Sequence, residues 1–189
     1  MDQLEFALVP IGIVLGYGVT KIMVAWADVI HSWPHIRRPP LIYLSSTAMC
    51  LYFMYMNFAG LWAYKGVDFV LDNGIFNVVY LFAITLPMLI FMLAVSVLVP
   101  VATRQTLQFD AHYFQSSPSF YLILALGVCT TVLPDLLPGV EFAPSPTWPL
   151  IIAATFVCLA FVRNRFAHGL AHSLFWSLLA VGFGYTMFG

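Results

Sequence analysis

The chain has 189 residues, of which 62% are hydrophobic and only 8% charged, and its net charge is −1. A soluble domain carries about a quarter of its residues charged, because its surface must face water; most of this surface must instead face lipid. The near-neutral balance also excludes nucleic acid as a partner, since no basic field exists to neutralise phosphates.

A helix needs about 20 apolar residues to cross the hydrocarbon core, and the chain offers six candidate runs. The acidic start, Met1-Asp2-Gln3-Leu4-Glu5, lacks the positive charge of a secretory signal, so the first run is expected to be a retained helix. That run covers Phe6 to Ile30, and Trp33-Pro34 and Pro39-Pro40 bracket the loop after it. Spans follow over Leu41 to Tyr64 and, after the turn residues Asp72-Asn73-Gly74, over Phe76 to Val99. The fourth covers Phe120 to Leu137. A proline-crowded connection leads to a short fifth span, Trp148 to Val162, and the sixth covers His168 to Phe188. Gly12, Gly16 and Thr20 repeat every four residues in span one, a stripe expected to pack against another helix of the same chain.

The arginines orient the bundle. Arg37 and Arg38 fall in the first loop, Arg104 in the third, Arg163 and Arg165 in the fifth. Basic residues in short loops mark the cytoplasmic face, so both termini are expected outside the cytoplasm. The prediction is an all-α polytopic membrane bundle of about six transmembrane helices, a single integral membrane domain over residues 1–189.

Two features could carry chemistry. Lys21 lies inside span one, where a charge costs about 2.5–3.5 kcal/mol on insertion scales. Its side chain tilts away from the nearer boundary, so a partner is expected within the bundle: a helix carbonyl, or a hydroxyl such as Ser46, Thr47, Thr130 or Thr131. Asp28 shares its face but sits about 10.5 Å further along the axis, too far for a direct pair. The second feature is the histidines, all on the arginine side. Asp28 and His31 stand one turn apart, His168 and His172 have the i, i+4 spacing of metal pairs on a helix, and Asp110 and His112 come from loop three. Together they offer ligands for zinc or non-haem iron; bis-histidine haem is less favoured.

Other chemistry lacks an anchor. Cys50, Cys129 and Cys158 form no CxxC pair, and no GxSxG, SxxK, HExxH, P-loop or GxGxxG is present. Ser45, Ser46, Ser173 and Ser177 are expected to bond to the turn before them.

Two stretches carry a resemblance. The first runs Gly16-Tyr17-Gly18-Val19-Thr20-Lys21-Ile22-Met23 and on through Trp26-Ala27-Asp28 to His31; the second is Asp110-Ala111-His112-Tyr113-Phe114. They resemble the first helix and the loop before the fourth helix of an uncharacterised family of bacterial multi-pass inner-membrane proteins. The resemblance implies a bacterial inner-membrane location and no particular activity. The spacing before Ala111-His112 is shorter than in that family.

The favoured functional expectation is a non-enzymatic protein, a transporter, channel or accessory subunit, with Lys21 and Asp28 inside the bundle. Its partners would be the lipid bilayer and another membrane protein or a second copy of itself. The alternative is a metal-dependent enzyme acting on a lipid-like substrate at the cytoplasmic face, with Asp28, His31, Asp110, His112, His168 and His172 as ligands.

Overall fold

The structure is a computed structural model and describes residues 3–36, 40–61, 78–99, 109–133, 136 and 147–188. Those residues form α1 (Gln3–Ser32), a 3₁₀ turn (Trp33–His35), α2 (Leu41–Gly60), α3 (Val78–Leu98), α4 (Phe109–Thr130), α5 (Thr147–Phe161) and α6 (Arg165–Phe188). No strand occurs among them. Three helices hold stretches long and apolar enough to cross a membrane, over Leu8–Ser32, Leu41–Gly60 and Leu81–Leu98; α5 is a shorter apolar helix.

Apolar side chains fill the core, as in a soluble domain, but here they also cover the outside and a few polar groups lie within. Ile13, Phe161 and Leu178 point outward at 69%, 75% and 72% exposure, whereas Ser46, Thr47, Ser117, His168 and His172 are buried. Apolar atoms on the outside and hydroxyls and imidazoles on the inside suit a chain whose solvent is hydrocarbon, because there each polar group must find its partner within the protein. Helix α3 packs on α1, α2 and α4, α4 packs also on α5, and α6 lies against α2.

Five helices fall close to the predicted spans. Helix α4 does not: it begins eleven residues before the expected Phe120 and ends at Thr130. The expected span follows the apolar run from Phe120, whereas the helix also takes in Pro118, which lacks an N–H and strips the Phe114 carbonyl of its usual donor. Ser117 Oγ donates to that carbonyl at 3.4 Å, so the helix continues through the proline. The stretch 110–114, expected in a loop, is therefore helical.

The glycine stripe is also corrected. Among the described residues, a methyl group added at Gly12 or Gly16 would meet nothing within 4 Å. Thr20 is exposed and returns its hydroxyl to the Gly16 carbonyl at 2.8 Å. Close approach occurs instead at Gly18, against Met54 of α2, and at Gly127 of α4, against Phe91 and Ile90 of α3. Gly127→Ala is expected to destabilise the protein by about 1–3 kcal/mol through overpacking, while Gly16→Ala leaves it unchanged; thermal unfolding in detergent micelles compares the two.

Candidate functional site

Helix α6 is placed by its cap. Asn164 Oδ1 accepts from the Phe166 N–H at 2.9 Å, and the Asn164 carbonyl accepts from the His168 N–H at 3.1 Å. This is the N-cap arrangement, with the cap residue half in the helix, and it sets the helix start three residues before the expected His168. From there His168, His172 and Trp176 recur at every fourth position, on one face. Facing them are Ser45 and Ser46 on α2 and Tyr113 and Tyr121 on α4, the two tyrosines eight residues apart and thus on one side of their helix.

These side chains bond in series. His168 Nε2 lies 2.7 Å from the Val162 carbonyl and His168 Nδ1 2.7 Å from Tyr113 Oη. Tyr113 Oη lies 2.8 Å from Tyr121 Oη, which lies 2.7 Å from His172 Nε2. His172 Nδ1 lies 2.7 Å from Ser45 Oγ, and Trp176 Nε1–H donates to the same oxygen at 2.8 Å. His168, His172, Tyr113 and Tyr121 are all buried.

Proton counting gives the series one direction. A carbonyl only accepts, so His168 donates Nε2–H to Val162 and, as a neutral ring, accepts at Nδ1 from Tyr113. The Tyr113 proton being used, Tyr121 must donate to Tyr113 Oη. The Tyr121 proton is then used as well, so His172 donates Nε2–H to Tyr121 and accepts at Nδ1 from Ser45. Ser46 supports this tautomer independently. Its hydroxyl donates to the Ile42 carbonyl at 2.8 Å, leaving its oxygen free to accept a longer bond, 3.3 Å, from His172 Nε2–H. All the groups are neutral, and each bond has one proton.

One end of the series opens to the outside. Ser45, His172 and Trp176 line a cleft of about 950 Å³ between the starts of α2 and α6, together with Leu41, Phe166 and Arg165. Leu41 and Phe166 are exposed, at 64% and 77%. Arg165 stands in the first turn of α6.

The other sequence candidates lie elsewhere. Lys21 Nζ, half-buried, donates to Ser96 Oγ of α3 at 3.1 Å and sits 5.2 Å from the centre of the Tyr17 ring. The expected tether is thus present, but its hydroxyl is one the sequence reading did not name. Thr47 accepts instead from Trp26 Nε1–H at 2.8 Å. Asp28 is half-buried on α1 and His31 is exposed, its Nδ1 bonding the Ala27 carbonyl at 2.8 Å. His112 Nε2 donates to the carbonyl of Leu98, the last residue of α3, at 3.0 Å.

Asp110 opens α4, and its side chain lies outside the described residues, as do Arg37, Arg38 and Arg104. Among the described residues no three His, Cys, Asp or Glu side chains gather as a metal site would require. His168 and His172 do share a face, but both nitrogens of each ring are engaged with hydroxyls or a carbonyl.

Sequence reasoning missed Ser45, Tyr113, Tyr121 and Trp176. Ser46 does bond to the preceding turn as expected; Ser45 turns to His172 instead. The available signal was the extension of the histidine pair to Trp176 at the same spacing, with Tyr113 and Tyr121 in phase. Compared with known proteins the chain finds no counterpart: no family model, curated protein or solved structure matches it. The site is therefore read from its own chemistry.

Two outcomes test this geometry. Tyr113→Phe removes the donor to His168 Nδ1 and the acceptor for Tyr121, and is expected to cost about 1–3 kcal/mol in thermal unfolding. Lys21→Met is expected to leave stability nearly unchanged, because Ser96 keeps its bond to the Met92 carbonyl at 3.0 Å. Ser96→Ala, which leaves the half-buried ammonium without that hydroxyl, should destabilise more than Lys21→Met in the same assay.

Proposed function

We propose that this chain is a six-span protein of the bacterial inner membrane, with both termini outside the cytoplasm, that admits an amphipathic, lipid-class molecule into the cleft between α2 and α6. The observation that carries the reading is the make-up of that cleft, polar at its floor through Ser45, His172 and Trp176 and apolar at its exposed rim through Leu41 and Phe166. Its volume of about 950 Å³ is in the range of clefts that take ligands of drug or cofactor size.

In a bilayer the exposed Leu41 and Phe166 would meet acyl chains, so a lipid could pass between them without leaving hydrocarbon. The first turn of α6, which contributes Arg165 to the lining, is the positive end of that helix and favours a headgroup carrying negative charge. With Arg163 and the arginines of loops one and three, Arg165 also argues for this end being cytoplasmic. Lys21, bonded to Ser96 and over Tyr17, reads as a charge accommodated between α1 and α3 rather than as part of a polar path.

Two measurements test the proposal. A reporter active only in the cytoplasm, fused after Gly189, should stay silent; activity there would mean a miscounted helix or a bundle of the opposite orientation. Anionic phospholipid brominated in its acyl chains should quench Trp176 fluorescence at a small mole fraction, seen as the component lost in Trp176→Phe. Equal quenching of the two proteins would remove the lipid from the cleft.

A further inference from the structure

Ser45 differs from Ser46, Ser96 and Ser117, whose hydroxyls donate to carbonyls of their own helices. It does not return its proton to its own backbone; the direction of the bond series requires that it donate to His172 Nδ1, 2.7 Å away. Trp176 Nε1–H donates to the same Oγ from the other side at 2.8 Å, which holds the hydroxyl proton toward the imidazole. An N–H on Oγ also stabilises the negative charge that grows there as the proton leaves. A hydroxyl within hydrogen-bond reach of a neutral imidazole, itself oriented by a third group, is the arrangement of an activated nucleophile and its base. Both residues line the cleft.

The rest of the series supplies the orienting group. His172 donates through Nε2 to Tyr121, Tyr121 to Tyr113, and Tyr113 to His168, which ends on the Val162 carbonyl. The two phenol dipoles therefore turn their oxygen ends toward His172. When His172 takes a second proton, its Nε2–H bond becomes charge-assisted and shortens, and the aligned hydroxyls favour the cation. The chain of donors fixes the tautomer and orientation of the ring as a carboxylate would, without supplying a carboxylate's charge.

We propose that Ser45 and His172 are a nucleophile and general base that cleave an acyl ester of the lipid held in the α2–α6 cleft, with Tyr121, Tyr113 and His168 as positioning residues. Ser45 Oγ bonds to the ester carbonyl carbon while its proton passes to His172 Nδ1. The imidazolium returns that proton to the alcohol oxygen as the carbon–oxygen bond breaks, leaving the acyl group on Ser45. Water then attacks the acyl carbon, giving its proton to His172 Nδ1, and the serine oxygen leaves by taking that proton. The products are the lipid alcohol and a carboxylic acid.

The assignment rests on the lipid reading of the cleft, so its test separates the two. The purified full chain in lipid nanodiscs is treated with a long-chain alkyl fluorophosphonate, which phosphonylates an activated serine with loss of fluoride, and the adduct is mapped by peptide mass. The expected adduct is on Ser45 of the unmodified protein, a result that depends on no variant. His172→Gln should slow labelling about 100-fold or more. Tyr121→Phe should label more slowly and with a displaced pH profile, which a merely structural role would not produce in a folded variant.

An absent adduct, an adduct elsewhere, or a labelling rate indifferent to His172→Gln in protein of unchanged thermal stability overturns the pair. If brominated lipid still quenches Trp176 in that case, the cleft keeps its lipid and loses only the reaction. Labelling of Ser45 by a short water-soluble fluorophosphonate alone, with no quenching by lipid, overturns the acyl-lipid substrate while Ser45 stays nucleophilic.

Discussion

The bond from His168 Nε2–H to the Val162 carbonyl governs the arrangement behind it. A backbone carbonyl has no proton to give, so the imidazole must donate, and in a neutral ring its other nitrogen must accept. Each group further along then has one choice left. Tyr113, Tyr121 and His168 are fully buried, so none of them relieves a mismatch by turning to solvent, and an unsatisfied partner would cost about 1–3 kcal/mol. The carbonyl at the α5–α6 turn thereby decides, through five intervening side-chain bonds, where the Ser45 proton points.

The same carbonyl explains part of what made the histidines conspicuous. The last carbonyls of a helix lack partners within it, and histidine near a helix end can supply the donor. His112 does so for Leu98 at the end of α3, and His168 does so for Val162 just beyond α5. His31 bonds a carbonyl near the end of its own helix, α1. Histidines gathered at one end of a bundle therefore also follow from α1, α3 and α5 ending there, with the helix dipole favouring such groups. Spacing alone did not distinguish that geometry from a metal cluster, because an i, i+4 pair serves either.

What the sequence made legible was the part governed by hydrophobic length. Runs of apolar residues located α1, α2, α3, α5 and α6 within a few positions, since hydrocarbon thickness dictates helix length. Helix α4 escaped because Asp110, His112, Gln115 and the serines at 116, 117 and 119 interrupt its apolar run, and hydropathy does not carry a helix across them. The Lys21 tether was anticipated from the cost of a buried charge, but Ser96 as its hydroxyl was not, because the choice depends on which helix lies beside α1. The same holds for the site. His168 and His172 stood out, while Tyr113, Tyr121 and Ser45 gained meaning only once α4 and α2 were packed against α6. Contacts across 51 to 127 residues of sequence leave no local pattern.

The attachment of α6 has a consequence for biogenesis. Its inner face meets the bundle largely through His168, His172 and Trp176, and these groups leave the ribosome after every hydroxyl they serve. Until α6 docks and turns that face inward, Tyr113, Tyr121 and Ser45 stand without their imidazole partners. Docking of α6 and closure of the proton series are thus one event. A chain stopped before Arg165 would leave Tyr113, Tyr121 and Ser45 without the bonds that His168 and His172 supply.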